Sequence, residues 1–474
     1  MGKTKKRFSW IKVVYFAMTL LLIAGLFYNR ILPDWISNMI KIGMILLMIV
    51  LNALHTKKLL LVVLSILMFI SSSALFYSQY SINRLINQEN MEIDVVTFVV
   101  LKESTMKSID DLKDRSIGFP SQMDETLVST VKEKITEKVG TYTVSMTEDD
   151  MSNLNKLYTK SIDVMILDNS VRDSLIEFDP SFETKTKTIY TLKKSTIKED
   201  TSNPVDTAVE PFIVLISGVD TRASGAVADK ARSDVNILMV INPKKHEVLT
   251  ISIPRDTYTP LGCRTGAMDK LTHSGIFGVD CTIKTIENLF SLDINYYVKV
   301  NFTAFLNIVK VLGTIDVYSK YAFKTGIYTD PVISYSYKVG MNPMNAQQAL
   351  FFARERHAFE TSDVQRGLNQ QEVIKGMINK VIEPSTLLKI EDLVSVASKS
   401  VVTNMPIESV MNLVQNQISN NQAWTITTAA LTGRGDYQPT YSMGSKRLLY
   451  VSWPDQIVLE ELKTKITTFM TNPK

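Results

Sequence analysis

The sequence predicts an α/β protein carried on three N-terminal transmembrane helices. A small α/β accessory domain follows, then a larger α/β/α sandwich with a mixed central sheet. Three observations predict this. Residues 1–80 hold three apolar runs, each near the ~20 residues that cross a bilayer as a helix. From 93 to 192, short apolar strand patterns alternate with helix-spaced segments. From Phe212 the same alternation resumes over a longer stretch, to residue 474.

The apolar runs come first. Trp10 to Tyr28 carries no charge after Lys12, Ile36 to Leu54 has Lys41 near its start, and Leu59 to Tyr77 is free of charge. Asn29 and Arg30 follow the first run where a signal-peptide cleavage site would need small residues. Lys3, Lys5, Lys6 and Arg7 precede the first run, and Lys57 and Lys58 separate the second from the third. The loop between the first two has only Arg30, offset by Asp34. The positive-inside rule places the N-terminus in the cytoplasm. Three crossings then put everything after about Ser78 outside, so the expected protein is a multi-pass cell-membrane protein with extracellular domains.

Val95 to Leu101 reads as a strand, RSIGFP as a short strand and turn, and SIDVMIL (Ser161 to Leu167) as a buried strand. Leu127, Val131, Ile135 and Val139 recur at helical spacing, and Leu154 to Tyr158 and Val171 to Phe178 read as helices. Lys193 to Pro211 is polar, holds two prolines and reads as a linker. A total of 474 residues exceeds one ordinary core. The net charge of +4 is small, and 93–192 has no basic stripe interleaved with aromatics, so no nucleic-acid partner is expected. The chain holds no GxxxxGK[ST] string, which excludes a P-loop nucleotide enzyme.

In the larger domain, Phe212 to Ile216, Val235 to Ile241 and Val248 to Ile253 read as buried strands. Asp220, Arg232, Asp234, Arg255 and Asp256 sit at their ends. A second charged stretch holds Arg354, Arg356, Asp363, Arg366 and Gln370. Ligands bind at strand ends in α/β sheets. Paired aspartates there suit a hard divalent cation, and arginines suit a phosphate or pyrophosphate. The set points to metal-assisted phosphoryl transfer from a pyrophosphate. For any one of these residues, a surface charge capping a strand is the alternative. Arg354 and Arg356 diverge on a continuous helix, so a bend is needed to bring them together; Arg366 and Gln370 are four apart and share a face. His273 is either a general base or, as the preferred reading, a residue that shapes its loop. Cys263 and Cys281 flank that loop: a disulfide would staple it, and two buried thiols are the alternative. Helices over Cys281–Phe290, Phe302–Leu312, Asn345–His357 and Ile407–Gln417, strands over Tyr296–Val300, Ile315–Tyr318 and Trp424–Ala430, and a last helix over Asp455–Phe469 continue the alternation.

The motifs GVDTR, RSDVNILMVINP, SIPRDTY, DKLTHSG, NYYVKVNF, LGTIDV, FARERH and RGLNQQ occur in this order between about Phe212 and Lys380. This set resembles the LytR–CpsA–Psr family of cell-wall ligases, and most resembles the CpsA-type members of streptococcal capsule loci, whose membrane and accessory segments are similar too. The resemblance implies Mg²⁺ (or Mn²⁺) held by Asp220 and Asp234. It also implies a substrate pyrophosphate held by Arg232, Arg255, Arg354, Arg356, Arg366 and Gln370, with Asp234 and Arg255 as the catalytic pair. It implies transfer of capsular polysaccharide or a similar glycan from a polyprenyl (undecaprenyl) pyrophosphate carrier to peptidoglycan. The other partners it implies are membrane lipid and further capsule-assembly proteins. Pyrophosphate hydrolysis differs only in using water as the acceptor. A membrane-bound regulator of capsule production, binding the lipid-linked glycan without turning it over, is the alternative from another class. Leu368 and Asn369 stand where members of the family often carry further arginines.

Overall fold

A computed structural model of the chain describes residues 10–28, 34–53, 57–86, 91–197, 201–219, 230–326, 333–360, 362–387 and 390–471. Helices α1 (Trp10–Tyr28), α2 (Asp34–Ala53) and α3 (Lys58–Ile86) open it. Among the described residues, Trp10–Tyr28 and Lys58–Tyr77 are long and apolar enough to cross a membrane, by length and composition. The apolar part of α2, Trp35–Leu51, is shorter, so two of the three expected spans meet that measure. Ser37, Asn38 and Lys41 interrupt its first turns. The polar stretch after Ser78 continues α3 as one helix.

The next unit runs β1 (Met91–Leu101), β2 (Ser116–Pro120), α4 (Glu125–Val139), β3 (Thr143–Thr147), α5 (Asp150–Tyr158), β4 (Val164–Asp168), α6 (Arg172–Phe178), α7 (Phe182–Lys185) and β5 (Thr186–Ile197). Its strands form a sheet in the order β3-β2-β4-β1-β5. Side chains alternate across the pleat. Phe98, Ile117 and Phe119 therefore pack on Leu127, Val131 and Ile135 of α4, while Val99 and Met165 pack on the other face with Leu154, Leu157 and Leu175. Asp124 starts α4 by accepting from the backbone N–H groups of Thr126 and Leu127. β5 runs on through Lys193 to Ile197, paired with Met91 to Val95, so the segment read as a linker begins later than expected.

The larger unit is built on β6 (Phe212–Val219), β7 (Ser233–Asn242), β8 (Glu247–Ser252), β9 (Tyr258–Pro260), β10 (Met268–Lys270), α8 (Leu271–Ser274), α9 (Val279–Phe290), β11 (Tyr296–Asn301), α10 (Phe302–Leu312) and β12 (Ile315–Ser319). It continues with β13 (Phe323–Lys324), β14 (Ser336–Tyr337), β15 (Gly340–Met344), α11 (Ala346–Arg354), α12 (Ser362–Val381), α13 (Pro384–Leu387) and α14 (Ile390–Ser400). It closes with β16 (Val401–Thr403), α15 (Ile407–Asn420), β17 (Thr425–Ala430), β18 (Gly433–Thr440), β19 (Gly444–Pro454) and α16 (Gln456–Met470). The central sheet has the order β16-β11-β6-β7-β8-β17. It is mixed: β6 is parallel to β11 and β8 to β17, while β7 and β16 run against their neighbours.

Helices cover both faces. Ile213 and Leu215 point toward Ile286 and Phe290 of α9 and Leu462 of α16. Phe212 and Val214 point the other way, toward Leu413 of α15 and Trp424. The registers bring Val219, Ser252, Asn301 and Ala430, the carboxyl ends of β6, β8, β11 and β17, to one edge beside Ser233, the start of β7. Helix α12 lies across that edge. A Cβ on Gly367 would stand 2.4 Å from Ser252 Oγ, and Gln371 Nε2 donates to the carbonyls of Thr250 (3.1 Å) and Ala429 (2.6 Å).

Candidate active site

The charged residues collect at this edge of the sheet. Asp234 enters at the start of β7, and Arg255 follows the end of β8. Arg255 Nη1 lies 3.0 Å from Asp234 Oδ1. The same oxygen accepts from Thr272 Oγ1 at 3.1 Å. Thr272 reaches it because the N–H groups of Leu271 and Thr272 donate to the carbonyls of Thr257 and Arg255, which ties α8 to the loop after β8. Asp256 takes Lys270 Nζ at 2.8 Å and lies 3.7 Å from Arg255 Nε.

From α12 come Asp363 and Arg366, with Arg366 Nη2 3.2 Å from Asp363 Oδ1. That oxygen is buried and has no hydrogen bond of good geometry. Burial works against the Arg255 charge, but Asp234, Asp256, Asp363 and Glu177 around it hold its pKa above the ordinary arginine value. Arg366 is the opposite case. Burial pushes its pKa below the ordinary value, and Arg255 and Arg356 repel it in addition, against the opposing pull of Asp363 and Asp234. Arginines packed within reach of one another in a half-dry setting favour an anion between them.

The other expected site residues fall as follows. Arg232 pairs with Glu177 of α6, from the first unit. Burial acts to raise the Glu177 pKa, yet Arg232, with Arg255 and Lys270 beyond it, holds it below the ordinary carboxylate value. Helix α11 stops at Arg354, and Glu355 takes extended backbone (φ −66°, ψ 129°), the bend that the Arg354–Arg356 spacing demands. The Arg354 guanidinium lies 4.2 Å from the centre of the Phe302 ring, at the start of α10. Arg356 reaches the Arg366 field, and its Nε donates to His357 at 3.3 Å. Gln370 Nε2 donates to the Ala353 carbonyl at 3.3 Å, tying α12 to α11. Asp220 lies outside the described residues.

His273 is buried, with Nδ1 2.7 Å from Asp269 Oδ1 and 2.9 Å from Ser442 Oγ. Asp269 Oδ2 accepts from the Ser442 N–H at 2.7 Å, so this cluster pins the turn before β19. Cys263 and Cys281 are joined, with an S–S distance of 2.04 Å. Three residues of the site had no assigned role in the sequence reading. Asp363 carried a signal, as an acidic residue in the first turn of a helix next to a charged motif. Thr272 and Glu177 carried none: one is a common residue in a short helix, and the other belongs to a helix of the separate first unit.

Relatives share much of this chain. It is 37% identical over 205 residues to the polyisoprenyl-teichoic acid–peptidoglycan teichoic acid transferase TagU of Bacillus subtilis (strain 168), covering 43% of this chain and 63% of that one. The chain thus spans less than two thirds of that relative's length. The protein of the same name from Bacillus mycoides (strain KBAB4) is 32% identical over 240 residues, covering 50% of this chain and 75% of that one. The crystal structure of B. subtilis TagV is 28% identical, with a TM-score of 0.46, covering 56% of this chain and 99% of that one. The profile of the LytR_cpsA_psr family matches residues 180–452, which include Asp234, Arg255, Asp363 and Arg366, and the chain belongs to that family.

Proposed function

We propose that this chain is a membrane-anchored phosphotransferase that moves a glycan from a polyprenyl pyrophosphate carrier to peptidoglycan, with capsular polysaccharide as the glycan. The observation that carries the reading is the meeting of Arg255 and Arg366, within the field of Arg356, beside Asp234 and Asp363 at the carboxyl edge of the sheet. Relatives named as teichoic acid transferases support it.

In this reading the two phosphates lie between Arg255 and Arg366. The acceptor hydroxyl attacks the phosphorus attached to the glycan. A new P–O ester forms, the bridging P–O bond breaks, and polyprenyl phosphate leaves. The hydroxyl proton passes to a carboxylate of the cluster, with Asp234 as the first choice. The arginines neutralise charge that builds on the phosphoryl oxygens, which is where positioned cations lower a barrier most.

The donor set suits a hard divalent cation: Asp363 Oδ1 is a buried carboxylate oxygen with no well-formed hydrogen bond, and Asp363 and Asp234 both act on the Arg255 charge. Asp234 with Asp220 would hold Mg²⁺ or Mn²⁺, which supplies further charge neutralisation on the pyrophosphate. The outer face of the membrane suits this chemistry, with α2 as the third crossing. Ile42, Ile45, Leu46 and Ile49 of α2 are exposed and suit lipid, and the Cys263–Cys281 bond suits an oxidising compartment.

The test uses the full chain in detergent micelles with polyprenyl pyrophosphate, with and without Mg²⁺. Metal-dependent release of polyprenyl phosphate is expected. Asp234→Ala and Arg366→Ala should each lower it by about a hundredfold or more. Tight binding of the lipid with no release, even when peptidoglycan is present, would sink the reading.

A further inference from the structure

The β18–β19 hairpin has an inward and an outward side. Directly opposed residues of antiparallel strands share a face, and the face alternates along each strand. The pairs Arg434–Trp453, Asp436–Val451 and Gln438–Leu449 form the inner side. Val451 is fully buried there, and the Trp453 ring meets Tyr258 edge-on at 4.8 Å. Asp436 Oδ2 accepts from Gln438 Nε2 at 2.7 Å and Trp453 Nε1 at 3.2 Å, so the Arg434–Gly435–Asp436 tripeptide is part of a strand.

The pairs Gly433–Pro454, Gly435–Ser452, Tyr437–Tyr450 and Pro439–Leu448 form the outer side, and none of these residues carries a charge. Tyr437 is 63% exposed and Tyr450 48%. Their rings stand 5.9 Å apart, edge to face. Tyr450 lies across Gly435, where a Cβ would come 2.8 Å from its hydroxyl. This strip runs into the candidate active site. Ser452 is bridged to Thr257, and its N–H donates to the Asp256 carbonyl at 2.8 Å, one residue from Arg255.

We propose that the outer face of this hairpin binds a neutral saccharide chain, the acceptor glycan, and leads it to the Asp234–Arg255–Arg366 cluster. Its role as acceptor rests on the phosphotransfer reading above; the binding does not. A tyrosine ring offers a flat apolar face to the C–H side of a sugar ring and a hydroxyl at its rim to the sugar hydroxyls. The absent Cβ of Gly435 lets the Tyr450 ring lie close against strand β18. A face without charge suits a neutral chain.

The probe is chitohexaose, a neutral β-linked N-acetylglucosamine oligomer, titrated calorimetrically against the full chain in detergent micelles. Tyr437→Ala and Tyr450→Ala should each weaken binding about tenfold, the loss of one ring contact. Tyr450→Phe keeps the ring and should retain most of the affinity. No binding by the unsubstituted chain, or equal affinity in the alanine variants, overturns the proposal. So does loss of binding to phosphatidylglycerol vesicles with glycan affinity kept, which makes the face a membrane contact. Donor cleavage is measured separately on the unsubstituted chain. Its absence, alongside tyrosine-dependent glycan binding, overturns the phosphotransfer reading and leaves the docking face standing.

Discussion

Asp256 and Lys270 illustrate, at the scale of single residues, how the site holds its charges. Both are nearly buried, and Lys270 Nζ sits 2.8 Å from Asp256 Oδ1. Burial raises the Asp256 pKa, but Lys270 and Arg255 more than offset this and bring it below the ordinary carboxylate value. The sign follows from linkage. A carboxylate with a lowered folded pKa contributes stability that is present above its unfolded pKa and lost as the pH falls through the folded value. The expected outcome is a melting temperature that drops below about pH 4, less steeply in Asp256→Ala. At neutral pH that variant leaves Lys270 buried without its closest partner, which costs about 3 kcal/mol; denaturant midpoints measure it. The individual charges of the site were readable because Asp and Arg are conspicuous next to apolar strands. Their partners were not. That Asp234 would share one oxygen between Arg255 and Thr272 depends on a backbone contact between helix α8 and the loop after β8.

At the scale of elements, the core strands were plain as apolar runs, since a strand buried on both faces needs no polar alternation. The β18–β19 hairpin was missed for the opposite reason. Gly433, Gly435 and Pro439 weaken a strand pattern, and Arg434, Asp436 and Gln438 break up the apolar content. β3 was missed because it lies at the edge of its sheet and is mostly exposed. The loop between β9 and α9 is held by the Cys263–Cys281 bond across a separation of 18 residues. Replacing both cysteines with serine should lower unfolding stability by about 3 kcal/mol, chiefly by freeing the unfolded chain. Equilibrium unfolding of the two forms would check this, and a change below about 1 kcal/mol would show that the bond contributes little beyond local order.

Across the whole molecule, the two units meet at a cleft lined by Asp150, Asp168, Lys230, Arg264 and Phe277. Asp150 is buried there, and its Oδ1 lacks a hydrogen-bond partner. Burial, with Asp168 and Asp149 adding repulsion, pushes its pKa up to about 8. Here the linkage sign reverses: the folded state keeps the proton that the unfolded chain has lost, so stability falls as the pH rises from the ordinary carboxylate range toward 8. Asp150→Asn should raise the melting temperature at pH 8 and change it little at pH 4. Equal effects at both values would place the Asp150 charge outside the balance.

The sequence by itself determined the core strands and the main helices, because apolar periodicity is a local property that each segment carries alone. It also determined the family, since ordered motifs survive without coordinates. Only the tertiary structure decided which charges meet. Asp234, Arg255 and Arg366 come from a strand start, a strand end and a distant helix, and the strand registers and the close seat of Gly367 on Ser252 bring them to one edge. Glu177 reaches Arg232 from a helix of the other unit. Such meetings are set by packing between elements, and no spacing along the chain encodes them.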